Sequence, residues 1–408
     1  MKNCPFSDLA NPHFHAEGKS HEAFRTLRSE EPISWQVDKE SGVGFWAVTK
    51  RRHIDLISKS PELFSSAEKS ALYDEFSEEE LTFLRLLVIN MDPPHHLRYR
   101  RIVRNAFSPK NVDLLEPKIR RVVAAAIEKT IQARDCDFVA EMADKIPMQV
   151  ICELMGVPSE DRGMLLKWSH LMVGSSDPAV AEEKRAITVY GDFLQYGRKI
   201  IELHKFKSRG PIVDALLNSE TPEGDRLTVE EFCSFFLMLV VAGNETTGAV
   251  MSNGMKLLLD SPDRFEAMKN NKRLVTSAVE EFLRYEPAVI QHRRTAMSDV
   301  EIDGVKIKKG DKLVLFYQSA NRDDEVFANP DEFVIDRGLQ GNLAADHRAF
   351  GIGQHFCLGA HLARMELQIF FEELVGRARK IQAAGPAIKL VSNTFNSYRS
   401  LPITICCD

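Results

Sequence analysis

The chain has 408 residues, 44% of them hydrophobic and 27% charged, with 53 Lys and Arg against 59 Asp and Glu for a formal charge of −6. These proportions exclude disordered, collagen-like and disulfide-scaffold chains, and the mild acidity argues against nucleic acid as the main partner. Length by itself suggests roughly two or three domains of about 150 residues and a core large enough to enclose a cofactor.

Met1 to Ser20 is polar and lacks the apolar run of a secretory signal. The first strand signal follows: Ile33, Trp35 and Val37 alternate with polar residues, turn at Gly42-Val43-Gly44, and continue with Phe45 to Val48. Between Pro109 and Pro287 the pattern is mainly helical, with breaks expected at Pro147, Pro158, Pro178, Pro211, Pro222 and Pro262. Thr228-x-x-Glu231 is a capping box. It opens a helix of roughly 33 residues, ~50 Å long, that runs to Ser261-Pro262. Phe232 to Val241 is apolar on nearly every side and is expected to be buried. That apolar run is shorter than the ~20 residues a membrane span needs, so a soluble, cytoplasmic protein is expected. Ala242-Gly243-Asn244-Glu245-Thr246-Thr247 then interrupts the run with polar residues, either as a kink or because they are used. A second β region runs through Val300 to Ile302, Asp303-Gly304, Val305 to Ile307, Gly310 and Leu313 to Phe316. The fold class is mainly α with small β regions, and no repeat or linker divides the chain.

The seven cysteines are irregularly spaced and form no C-x-x-C, which speaks against a disulfide framework or structural zinc and for a reducing cytosol. One stands apart. Phe350-Gly351-Ile352-Gly353-Gln354-His355-Phe356-Cys357-Leu358-Gly359 is a glycine-rich turn leading into a helix. Backbone N–H groups and the helix dipole there favour a thiolate, a soft and strongly donating ligand for iron. A lone cysteine is also often a small buried hydrophobe. A dinucleotide loop is excluded, because the third glycine is misplaced and no strand precedes it.

This segment resembles the haem-binding loop F-G-x-G-x-H-x-C-x-G of the cytochrome P450 monooxygenases at every defined position. Three further segments are similar in chain order. Ala242 to Thr247 resembles the oxygen-activation motif A-G-x-[DE]-T-T. Glu281-Phe282-Leu283-Arg284 resembles the E-x-x-R pair, with Pro330 to Arg337 as the loop supplying its third member. Asp92 to Arg100 resembles the segment that begins a haem-propionate-binding helix. The similarity runs from Phe45-Trp46-Ala47-Val48-Thr49 to the C-terminus and implies one haem-enclosing domain over residues 1–408, organised around the long helix.

The resemblance implies haem b with Cys357 as axial ligand, whose electron donation favours O–O cleavage. Phe350, Gly351 and Gly359 belong to the loop that holds it. His96, Arg100, Arg294 and His355 match the positions that bind the haem propionates, and His95 is expected at the surface. Thr246 and Glu245 match an alcohol–acid pair that delivers protons to dioxygen, with Gly243 and Ala242 leaving a groove beside the iron. Glu281, Arg284 and Arg337 match a buried triad that braces the haem loop. Met238, Val241, Ala242, Val289 and Ile290 are expected to line the substrate pocket, and segments around Tyr73 to Leu87, Leu171 to Val173 and Phe395 to form lids. The expected reaction inserts one atom of O2 into a hydrophobic steroid, terpenoid or branched lipid. Electrons are expected from NAD(P)H through a separate ferredoxin reductase and ferredoxin, docked on Arg101, Arg104, Arg348 and Arg364. A haem-thiolate gas sensor would account for Cys357 but not for Thr246 and Glu245, and a peroxide-driven peroxygenase would not need the threonine.

Overall fold

The structure is a computed structural model and describes residues 8–173, 177, 186–206, 210–221 and 224–406. Pro178, Pro222, Cys4 and Cys407 lie outside the described residues.

The long helix runs from Val229 to Asp260. Its capping box forms as expected: the Thr228 hydroxyl accepts from the Glu231 N–H at 3.1 Å, and the Glu231 carboxylate accepts from the Thr228 N–H at 2.8 Å. Arg98 donates to the same carboxylate at 2.7 Å, which ties the helix start to helix His95–Arg104. The helix crosses the main hydrophobic core and packs against helices Lys145–Leu154, Arg162–Val173, Ala186–Phe206 and Ala360–Arg377. It is apolar and long enough to cross a membrane, but 61% of its most apolar window is buried inside the protein. Close packing sets one residue type along it. A Cβ on Gly248 would lie 2.4 Å from the Ala143 carbonyl oxygen, a backbone atom that cannot step aside.

Of the expected proline breaks, Pro211 and Pro262 open helices, as does Pro109 at the start of the helical region, because the missing N–H has no intrahelical partner to lose there. Pro158 precedes the 3-10 turn Ser159–Asp161. Pro147 sits in the first turn of helix Lys145–Leu154, just after a π-helical turn at Val139–Ala143.

Both anticipated strand pairs form. Ile33–Val37 pairs antiparallel with Gly44–Val48, and Val300–Ile302 with Val305–Ile307. The five-stranded sheet has the order Ile33–Val37, Gly44–Val48, Lys312–Phe316, Gln291–Ala296, Phe64–Ser65, with one parallel pairing between its second and third strands. Strand Gln291–Ala296 reads Gln-His-Arg-Arg-Thr-Ala and carries no hydrophobic alternation. It is nonetheless buried, because its arginines have local partners: Arg293 pairs with Glu75 at 2.9 Å and Arg294 donates to a backbone carbonyl at 2.7 Å. A three-stranded sheet, Asp135–Asp137, Pro402–Cys406 and Lys380–Ala383, lies beside the helical core.

Candidate active site

The cysteine loop is shaped by its glycines. Gly351 and Gly353 have φ of +68° and +74°, conformations an L side chain rarely adopts. A Cβ on Gly353 would also lie 2.5 Å from the Ser58 carbonyl oxygen. The loop closes through the Cys357 N–H, which donates to the Phe350 carbonyl at 2.9 Å, and is held from outside by Arg100, which donates to the Phe356 carbonyl at 2.8 Å. Gly359 then caps helix Ala360–Arg377, and a Cβ there would meet no protein atom.

Cys357 is accessible and lines a deep cavity. Phe350, Gly351, Gly359, His96, Arg100, Arg294 and His355 line the same cavity, and so do Ala242, Gly243, Thr246, Met238 and Val289. Thus the loop, helix His95–Arg104, strand Gln291–Ala296 and the long helix converge on one space. Val241, Ile290 and Phe395 lie off its wall. Val241 is half-buried against the main core, Ile290 is buried with Phe316 in the sheet core, and Phe395 bridges the backbone of Val289.

The electrostatics of the cavity are lopsided. The rings of His96 and His355 lie 4.2 Å apart, and neither ring nitrogen of the buried His96 has a hydrogen-bond partner among the described residues. Burial, with Arg100 and Arg294 nearby, lowers His96 to about 4, and burial with the same arginines holds His355 far below its usual range. Ser66 lies 3.3 Å from the His355 ring. Among the described residues no carboxylate pairs directly with these two histidines and two guanidiniums, although Asp92 acts on His96 and Arg294 from nearby, and the set fits a buried dianion. Together with the cysteine and the open space at Gly359, they fit a haem with two propionates. Desolvation sets the net direction of the Cys357 pKa, which is up, while the Gly359 N–H favours the thiolate as the sequence suggests, helped by Arg100 and Arg364.

In the long helix the Thr246 hydroxyl donates to the Ala242 carbonyl at 2.6 Å, one turn back, and Thr246 lines the cavity. Glu245 does not line the cavity. Its carboxylate accepts from Ser169 Oγ at 2.7 Å and from Asn244 at 3.2 Å, and burial raises its pKa. Gly243 owes its size to a neighbouring helix, since an added Cβ would lie 2.9 Å from Ile151 Cδ1.

Outside the cavity, Glu281 accepts from Arg284, from Arg337 Nε at 3.3 Å and from the Val334 N–H at 2.9 Å, so the three supporting residues form one buried cluster. His95 is exposed, as are Arg101 and Arg104. Arg348, expected at a docking surface, is buried and forked onto Asp55 at 2.6 and 2.7 Å, and Arg364 is engaged with Glu280 at 2.7 Å. Arg348 therefore has no free face to offer a partner.

Three cavity residues carry no motif signal. His292 and Tyr317 contact each other edge to face at 5.8 Å and line the wall beside Arg294. Glu366 is fully buried, with one carboxyl oxygen unpartnered and a pKa pushed well up by burial. An acid on the apolar face of helix Ala360–Arg377, among Leu362, Leu367 and Phe370, is the one signal that pointed to it.

Comparison with known proteins agrees with this site. The cytochrome P450 family model matches residues 182–379. Over 98% of both chains, the protein is 32% identical to linalool 8-monooxygenase of Pseudomonas putida. It is 33% identical to a steroid C26-monooxygenase of Rhodococcus jostii over 97% of this chain and 84% of that one. A Mycobacterium marinum cytochrome P450 solved in complex with pseudoionone superposes with a TM-score of 0.87, at 30% identity over 99% of each chain. The chain belongs to the cytochrome P450 family, a class of haem-thiolate oxidoreductases, and it is a monooxygenase.

Proposed function

We propose that the whole chain encloses one haem b ligated by Cys357, and that it hydroxylates an apolar, branched small molecule of the terpenoid, steroid or branched-lipid kind. The observation that carries this is the convergence on one cavity of a cysteine, two histidines, two arginines and a threonine, with Val88, Ile89, Met238, Leu239, Ala288 and Val289 beside them. Bound haem supplies the dioxygen-binding and oxygen-transfer chemistry, and the overall reaction is R–H + O2 + 2e⁻ + 2H⁺ → R–OH + H2O. His96, Arg100, Arg294 and His355 balance the two propionates. Thr246 offers a hydroxyl at the cavity wall, and Glu245, one residue away, stores the proton that this hydroxyl passes on. The apolar wall orients the substrate by shape and keeps bulk water from the reacting carbon. A ferredoxin and its NAD(P)H-dependent reductase supply the two electrons.

The test is spectroscopic. Cys357→Ser protein reconstituted with haem is expected to lose the strongly red-shifted Soret band of the ferrous CO complex, and retention of that band would refute the ligand. Titration with linalool, pseudoionone and a 3-keto steroid is expected to give a low-to-high-spin shift with at least one. Fatty acids alone shifting the spectrum would redirect the substrate class.

A further inference from the structure

Glu245 is the inner end of a short chain of polar groups that reaches the surface. Ser169 and His170 follow one another in helix Arg162–Val173. The Ser169 hydroxyl donates to Glu245 Oε1 at 2.7 Å, and His170 Nε2 lies 3.8 Å from the same oxygen and 3.5 Å from Asp144 Oδ2. Asp144 immediately precedes helix Lys145–Leu154, so three separate segments meet at this point. Exposure falls along the chain: the side chain of His170 is 40% exposed and that of Glu245 15%. Thr246, the next residue, faces the cavity. No other residue hydrogen-bonded or ion-paired to Glu245 among those described combines a transferable proton near neutral pH with contact to solvent.

We propose that His170, steered by Asp144, is the positioning residue that reloads Glu245 with protons from solvent. This rests on the reading of Glu245 and Thr246 as the proton-delivery pair. In each transfer the Nε2 proton of the imidazolium moves to Glu245 Oε1, directly or through one bridging water, and the neutral ring takes a proton from solvent at its exposed edge. Two such transfers per turnover match the two protons of the overall reaction. Among the described residues, the charged groups that face His170 are Asp144 and Glu245. Burial disfavours the imidazolium, but the bond to Asp144 and the charges of Glu245 and Asp144 outweigh it and raise the ring to about 9, so His170 is loaded at neutral pH. Ser169 can orient the carboxylate but cannot serve as the proton source, because a hydroxyl does not ionise in this range.

The experiment uses the haem-loaded enzyme with a surrogate ferredoxin, its reductase, and whichever of linalool or pseudoionone gives the larger spin shift. His170→Gln is expected to keep the ferrous CO spectrum and the substrate dissociation constant. Its product per NADPH should fall about ten-fold, with peroxide rising and the solvent isotope effect on product formation increasing. In the parent enzyme, coupled turnover should decline as pH rises through about 9. His170→Lys is expected to restore coupling and move that decline to higher pH, which no packing role would do. A His170→Gln enzyme with parental coupling and isotope effect overturns the proposal. Glu245→Gln separates the two levels. Full coupling in Glu245→Gln refutes the delivery pair itself, whereas impaired Glu245→Gln beside normal His170→Gln refutes only the relay.

Discussion

Arg284 spends every N–H it has, and Glu281 takes two of them. Nε donates to Glu281 Oε2 at 2.7 Å and Nη2 to Oε1 at 2.8 Å, with neither side chain exposed at all. The remaining donors go to the carbonyls of Asn321, Pro330 and Glu332, all in the segment that precedes the cysteine loop. A guanidinium has five donors in a fixed fork, and here all five are engaged.

Arg284→Lys is therefore expected to behave nearly as badly as Arg284→Ala. An ammonium has three donors and cannot reach the same acceptors, so carbonyls and one carboxylate oxygen are left unpaired. Breaking a buried pair costs about 3–5 kcal/mol. Denaturant unfolding and haem content per chain are the measurements, and a Lys variant with parental stability would contradict the assignment.

Thr246 has its hydroxyl committed to the Ala242 carbonyl at 2.6 Å, which orients the oxygen without using its acceptor capacity. Thr246→Ala is expected to keep consuming O2 and NADPH while product per NADPH drops by about ten-fold and peroxide takes its place. Thr246→Ser keeps a hydroxyl and should retain most of the coupling. Oxygen and peroxide electrodes run in parallel on the two variants decide the matter.

Packing along the long helix predicts an asymmetry between two glycines. Gly248→Ala drives a methyl into the Ala143 carbonyl, a backbone contact at 2.4 Å. Gly243→Ala meets only the end of the Ile151 side chain at 2.9 Å, which can rotate away. The first should destabilise by about 1–3 kcal/mol and the second by less, although Ala has the better helix propensity at both. Comparable unfolding midpoints for the two variants would count against this.

His15 supplies an acid-sensitive element. It is buried, with Nε2 2.9 Å from the Leu9 carbonyl, and burial lowers its pKa from 6.5 to about 4. The ring is neutral when folded and takes up a proton more readily when unfolded. Stability from this residue is therefore intact above pH 6.5 and lost progressively as pH falls to about 4, by about 3 kcal/mol in all. His15→Gln, which keeps a donor for Leu9, should flatten the pH dependence of stability between those limits. An unchanged slope would remove His15 from the account.

Much of the molecule was legible before any coordinates. The alternation at Ile33 to Val37, the turn at Asp303-Gly304 and the capping box at Thr228 act through neighbours a few residues apart, and all three form where the sequence places them. The motif residues were equally readable: Cys357, His96, Arg100, Arg294 and His355 meet at one cavity although they are scattered over more than half the chain. The average composition of the chain carries none of this.

What only the tertiary structure decided are properties of neighbours far apart in sequence. Strand Gln291–Ala296 has no hydrophobic pattern, yet it is buried, with Arg293 paired to Glu75 and with His292 and Arg294 lining the cavity. Val241 and Ile290 are apolar and adjacent to wall residues, yet they point into the core, since one position along a helix or strand changes the face. Desolvation opposes the loop's pull on the Cys357 thiol, and a bidentate Asp55 removes Arg348 from the surface. The approach of His170 and Asp144 to Glu245 brings together residues up to 101 positions apart, between Asp144 and Glu245. Local patterns specify which elements form and which residue types chemistry requires. Desolvation and long-range pairing depend on what the folded chain brings alongside, and those set which groups are charged, free or facing the cavity.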